Sequence, residues 1–210
     1  MSSIKNIIFD LGNVIIDLDI PRTTLEMNRL MRHSDRLDET WQDLQTTLLQ
    51  YEVGAISDEL FINAFIRHAR PQVYAQQIIR AWNAMLIDIP AERLQFMHEL
   101  KARGYRVYLL SNTNNIHLDW VNRYMLRHHQ SPTLDNWFDH SYYSHLINHR
   151  KPNASCFEYV LQHAQLTAEE TLFVDDIYEN IVGAQAVGIR GMHLIAGHDV
   201  VSTLKTYLSI

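Results

Sequence analysis

Four short apolar runs, each stopped by polar residues, limit what this chain can fold into. The first is Ile7-Ile8-Phe9, which ends at Asp10-Leu11-Gly12. The second is Tyr105-Arg106-Val107-Tyr108-Leu109-Leu110, ending at Ser111-Asn112-Thr113. Thr171-Leu172-Phe173-Val174 ends at Asp175-Asp176, and a fourth run extends from Ile189 to Ile195. Continuous rather than alternating apolar residues belong to strands buried on both faces, as in a parallel sheet. Helix signals lie between them. Pro90-Ala91-Glu92 opens a helix with Leu94, Met97 and Leu100 on one face and Gly104 as its stop. Ala154 to Ala164 reads as another, and Asn180 to Val187 as a short one closed by Gly188. This alternation predicts an α/β fold, a Rossmann-like parallel sheet with helices on both faces. Ligands of such sheets gather beyond the carboxyl ends of the strands. Asp10, Ser111 and the Asp175-Asp176 pair all fall there.

Residues 17–89 interrupt the alternation. They are rich in Leu, Met, Trp, Gln and Glu, and strand signals are sparse. Trp41, Leu44, Leu48 and Leu49 recur at helical spacing, as do Leu60, Ile62, Phe65 and Ile66. Glu52 to Ser57 reads as a turn, with Ser57 capping the next helix. The expectation is a small all-helical insert after the first strand, in which Trp41, Phe61, Phe65 and Trp82 form a bundle core. The α/β core then comprises residues 1–16 and 90–210. Residues from about 117 to 149 resist a secondary-structure reading.

The balance of charge narrows the function classes. A formal net charge of −6 gives no overall attraction to nucleic acid or anionic lipid. No apolar run approaches the roughly 18 residues that span a bilayer. With one cysteine, Cys156, there is no intramolecular disulfide, so a cytoplasmic location is expected and Cys156 reads as a small apolar helix residue. Five histidines between His128 and His149 lack the spacing of a zinc site and have no paired cysteines.

Four pieces recur in order: Phe9-Asp10-Leu11-Gly12-Asn13-Val14, Leu110-Ser111-Asn112, Arg150-Lys151-Pro152 and Phe173-Val174-Asp175-Asp176. Together they resemble the four motifs of the haloacid dehalogenase-like superfamily. The start, the Leu-Ser-Asn-Thr-Asn run and the Arg-Lys-Pro are similar to a branch resembling bacterial α-D-glucose-1-phosphate phosphatases. The resemblance implies a Mg²⁺-dependent phosphatase acting on a small phosphorylated metabolite, and makes the helical insert a cap over the site. It implies Asp10 as the nucleophile, forming an aspartyl-phosphate, with Asp10, Asp176 and the Gly12 carbonyl as metal ligands and Asp175 beside them. Ser111 and the Asn112 backbone N–H would hold phosphate oxygens, and Lys151 would set a positive charge against Asp10 and the transferring group. Asn180 stands where the family often has an acidic residue. The chemistry agrees with these residue types. An aspartate of ordinary pKa near 3.9 needs no base, but it must approach another anion, and a divalent cation offsets that repulsion.

One position departs from the pattern. Most phosphatases of the superfamily have an acid–base aspartate two residues after the nucleophile, and here that residue is Gly12. Such a group contributes roughly 10²–10⁴-fold. A sugar 1-phosphate would need it less, because the ring oxygen improves the leaving group, and His117 is the candidate substitute nearest the second motif. Two other readings compete: a phosphate-site binding protein without turnover, and a metal-free haloacid dehalogenase. The tandem acidic pair favours the phosphatase over the dehalogenase.

Overall fold

The computed structural model describes residues 3–210. Strand β1 (Asn6–Phe9) lies at the centre of a five-stranded sheet, paired in parallel with β4 (Arg106–Ser111) and β6 (Thr171–Asp175). Beyond them lie β5 (His140–Tyr143), next to β4, and β7 (Arg190–His193), next to β6. The order β5-β4-β1-β6-β7 follows the chain outward to one edge and then back across β1 to the other. The order therefore reverses between β1 and β6, which is where a ligand crevice opens in a doubly wound sheet.

Alternation along β1 explains why both faces are covered. Ile7 and Phe9 pack with Leu94, Phe96, Met97 and Leu100 of α5 (Ala91–Ala102), and with Leu204 of α10 (Val200–Leu208). Ile8 points the other way, into a cluster with Phe157 of α8 (Ala154–His163) and Ile181 of α9 (Tyr178–Ala186). Cys156 is fully buried in α8 as a small apolar residue. The helix read from Asn180 begins at Tyr178, and the strand read from Ile189 to Ile195 is confined to Arg190–His193. The unreadable stretch holds α6 (Asn115–His129), β5 and the single turn α7 (Ser144–Ile147).

Residues 17–88 leave and re-enter through a short antiparallel pair, β2 (Asp17–Leu18) with β3 (Leu86–Asp88). Between them stand α1 (Ile20–Leu30), α2 (Leu37–Glu52), α3 (Asp58–His68) and α4 (Ala75–Trp82). Asp19 caps α1, accepting from the Arg22 N–H, and Ser57 caps α3, accepting from the Leu60 N–H. Met27, Leu44, Phe61, Phe65 and Ile78 form their shared core. Three residues depart from the sequence reading: Leu49 is exposed on α2, Leu60 is exposed on α3, whose inner face is Phe61, Ile62 and Phe65, and Trp82 faces a cleft rather than the bundle interior alone.

Candidate active site

Asp10 follows β1, Ser111 closes β4 and Asp175 closes β6, so three neighbouring strands deliver them to one sheet edge. The Asp10 N–H donates to the Val174 carbonyl at 2.9 Å, extending the β1–β6 ladder up to the site. Lys151, almost fully buried, donates from Nζ to Asp10 Oδ1 at 2.5 Å and to Asp175 Oδ2 at 2.7 Å. Its Nζ also lies 5.2 Å from the centre of the Phe173 ring. A buried ammonium needs close partners to offset lost hydration, and here two carboxylates supply them. Burial alone would lower its pKa, yet the charges of Asp10 and Asp175 outweigh burial and raise it, so Lys151 is cationic at neutral pH.

Asn112 fixes the lysine. Its Nδ2 donates to the Lys151 carbonyl at 2.9 Å, and its Oδ1 accepts from the Lys151 N–H at 2.9 Å. The second motif thus holds the third through a side chain, a role that the sequence did not reveal. Asp175 is also fully engaged: Oδ1 accepts from the Ile177 N–H at 2.7 Å, and Oδ2 accepts from Asn180 Nδ2 at 3.0 Å as well as from Lys151. Asp176 is more open. Its Oδ2 accepts from Asn13 Nδ2 at 2.8 Å. Asn13, another residue that the sequence reading passed over, takes a left-handed φ of 52°, which asparagine adopts more readily than most residues. Its place inside the first motif was the available signal.

Asp10, Asp175 and Asp176 each offer an oxygen within 4.8 Å of the others. Three carboxylates against one ammonium leave an excess of negative charge in a poorly hydrated place. Burial pushes the Asp10 pKa up to about 7, with Lys151 opposing and Asp175 reinforcing the rise. Burial raises the Asp176 pKa too, against the Asn13 hydrogen bond. A hard divalent cation with oxygen ligands fits this donor set and this charge excess. No other group of three such side chains comes together among the described residues.

Beside the carboxylates a cleft of about 350 Å³ separates the sheet edge from the four helices. Gly12, Ser111 and Asn112 form its floor, and Leu11, Ile16, Leu18, Leu48, Met85 and Leu86 much of its wall. His117 lies in the wall, stacked on Trp82 at 5.2 Å between ring centres. Its Nε2 donates to the Trp82 carbonyl at 3.1 Å, which leaves Nδ1 to accept from Asn114 Nδ2 at 3.2 Å. Burial lowers its pKa to about 4. Neutral and bonded at both nitrogens, His117 is no substitute acid. The histidines between His128 and His149 are dispersed, His128 stacking on Tyr124 and His149 lying against Tyr159.

A family model of haloacid dehalogenase-like hydrolases matches residues 4–188. The chain belongs to that family. It is 30% identical over 199 residues to D-ribitol-5-phosphate phosphatase of Bacteroides thetaiotaomicron, covering 93% of this chain and 94% of the relative. A sesquiterpene phosphatase of Aspergillus oryzae is 28% identical over 203 residues, covering 92% and 91%. Among solved structures, a haloacid dehalogenase-like enzyme of Bacteroides thetaiotaomicron in complex with magnesium and inorganic phosphate has a TM-score of 0.84 at 34% identity. The match covers 94% of this chain and 97% of that one. Membership makes the protein a hydrolase.

Proposed function

We propose that the protein is a Mg²⁺-dependent phosphatase that hydrolyses a small phosphomonoester through an aspartyl-phosphate on Asp10. The observation that carries this reading is the buried Lys151 between Asp10 and Asp175, with a third carboxylate, Asp176, within 4.8 Å. Relatives named as phosphatases and a similar enzyme seen with magnesium and phosphate support it.

Asp10 attacks phosphorus, and the ester oxygen departs into the cleft. Lys151 keeps a positive charge beside the attacking carboxylate, and in a site closed to water such a charge is worth more than in solution. Ser111 and the Asn112 N–H hold the phosphoryl oxygens. Water then cleaves the aspartyl-phosphate, releasing inorganic phosphate and restoring Asp10. Asp10, Asp176 and the Gly12 carbonyl would hold Mg²⁺, with Asp175 beside them, and the ion would supply the charge that lets one anion approach another. The helices of residues 17–89 act as a cap that excludes water and lines the leaving-group side, over a core of residues 1–16 and 90–210. Gly12 supplies no proton, so a good leaving group is favoured. A small phosphorylated metabolite, such as a sugar or polyol phosphate, is the first class to screen.

Covalent trapping tests the reading. Brief incubation with a phosphoryl donor, acid quenching and mass spectrometry should find phosphate on Asp10, and Asp10→Asn should abolish both the adduct and turnover. A wild-type protein with neither adduct nor turnover would point to a binding protein. Halide release that persists in excess EDTA would point to a dehalogenase.

A further inference from the structure

The polar atoms around the leaving-group side of the cleft are almost all engaged with one another. Tyr51 donates its hydroxyl to Asp58 Oδ1 at 2.6 Å and accepts from the Ile116 N–H at 3.2 Å. Trp82 Nε1 donates to Asn114 Oδ1 at 3.4 Å, and Asn114 and His117 complete each other as described above. Glu52 is the charged group among them with an oxygen to spare. It sits at the end of α2, lines the cleft and is about a quarter exposed. Its Oε1 accepts from Arg150 Nε at 2.8 Å, and Oε2 has no hydrogen-bond partner among the described residues. The loop carrying it is anchored to the core, since Ser144 Oγ donates to the Glu52 carbonyl at 2.6 Å and Asn148 Nδ2 to the Val53 carbonyl at 2.9 Å. Arg150 thus aims a carboxylate of the cap, one residue before Lys151 in sequence.

We infer that Glu52 is a specificity-determining residue: it selects a leaving group that presents a neutral or cationic hydrogen-bond donor at this end of the cleft, and excludes one bearing an anion there. The inference deepens the phosphatase reading and rests on it. A leaving-group donor that lost its water on entering the cleft would be costly to bury without a partner. A single donor can be satisfied at Glu52 Oε2, where a charged acceptor makes a stronger bond than a neutral one. A carboxylate or second phosphate at that end would meet Glu52 with like charge.

Four aryl esters test this: phenyl phosphate and its 4-hydroxymethyl, 4-aminomethyl and 4-carboxymethyl derivatives. The methylene insulates the phenolate, so leaving-group reactivity changes little across the set. In the wild type, kcat/KM for the aminomethyl ester should exceed that for the carboxymethyl ester by about tenfold or more, chiefly through KM. Glu52→Gln, close in shape, should collapse that ratio toward one while the hydroxymethyl ester keeps most of its advantage over phenyl phosphate. Phenyl phosphate, which has no donor, is the reference within each enzyme. A ratio that Glu52→Gln leaves unchanged, with phenyl phosphate still hydrolysed, overturns the role of Glu52 alone. Failure of the wild type to hydrolyse any of the four overturns the phosphatase reading itself.

Discussion

Gly12 and His117 are the residues at which the structure changes what the sequence suggests. A Cβ on Gly12 would come within 2.7 Å of Leu18 Cδ1 but stay 3.7 Å from Asp10 Oδ2. The obstacle to an aspartate there is thus the end of one aliphatic side chain rather than backbone. Gly12→Asp alone should lower activity by crowding Leu18, whereas Gly12→Asp with Leu18→Ala should raise turnover of alkyl phosphates about tenfold relative to aryl phosphates, measured as paired kcat values. At His117 the folded state holds the imidazole neutral down to about pH 4, while the unfolded chain protonates near 6.5. The stability contributed by this burial is complete above pH 6.5 and is lost as the pH falls toward 4. Urea unfolding at pH 7 and pH 4.5 should show the wild type losing roughly 2–3 kcal/mol more than His117→Gln across that window. The acidic residues and Lys151 were legible in the sequence because each ends a strand or belongs to a motif. The Asn112 clamp on Lys151 was not, because its two halves lie 39 positions apart and meet only once the chain between them has folded.

Among the elements, those with continuous apolar runs were readable and the edges were not. Strand β5 carries His140-Ser141-Tyr142-Tyr143, with only the last two buried, so nothing in its composition separates it from a loop. Helix α6 turns Ile116, His117, Val121 and Met125 inward, a stripe interrupted by polar residues that the neighbouring helices define. Trp82 looked like bundle core because helical spacing cannot distinguish a cleft wall from an interior. The turn after α2 ties the helical insert to the core through Ser144 and Asn148. Gly54 has a φ of +71°, and a Cβ there would lie 2.1 Å from the His145 carbonyl oxygen of α7. Gly54→Ala meets both a strained backbone and a collision with main chain. It should cost about 1–3 kcal/mol in thermal unfolding and raise KM several-fold, because the same loop presents Glu52 to the cleft.

Across the whole molecule, the cluster of acidic groups at the sheet edge ties folding to the proposed cation. Asp175 and Asp176 are adjacent in sequence yet do different work. Asp175 is wholly buried, and its partners are Lys151, Asn180 and the Ile177 N–H, whereas Asp176 is half-exposed with Asn13 as its side-chain partner. Asp175→Asn removes one counter-charge from a buried ammonium, and should destabilise the protein by about 3–5 kcal/mol with or without Mg²⁺. Asp176→Asn removes a carboxylate that faces the proposed cation, and should change stability little in EDTA. A cation that binds the folded chain alone stabilises it by about 2.7 kcal/mol at a hundred times its dissociation constant, enough to raise Tm by roughly 5–10 °C in a chain of this size. Thermal melts in EDTA and in increasing MgCl₂ should therefore show that increase in the wild type and its near-absence in Asp176→Asn, without any assay of turnover. Melting curves insensitive to Mg²⁺, or an Asp176→Asn variant as responsive as the wild type, would remove the cation from this edge and leave Lys151 alone to balance the carboxylates.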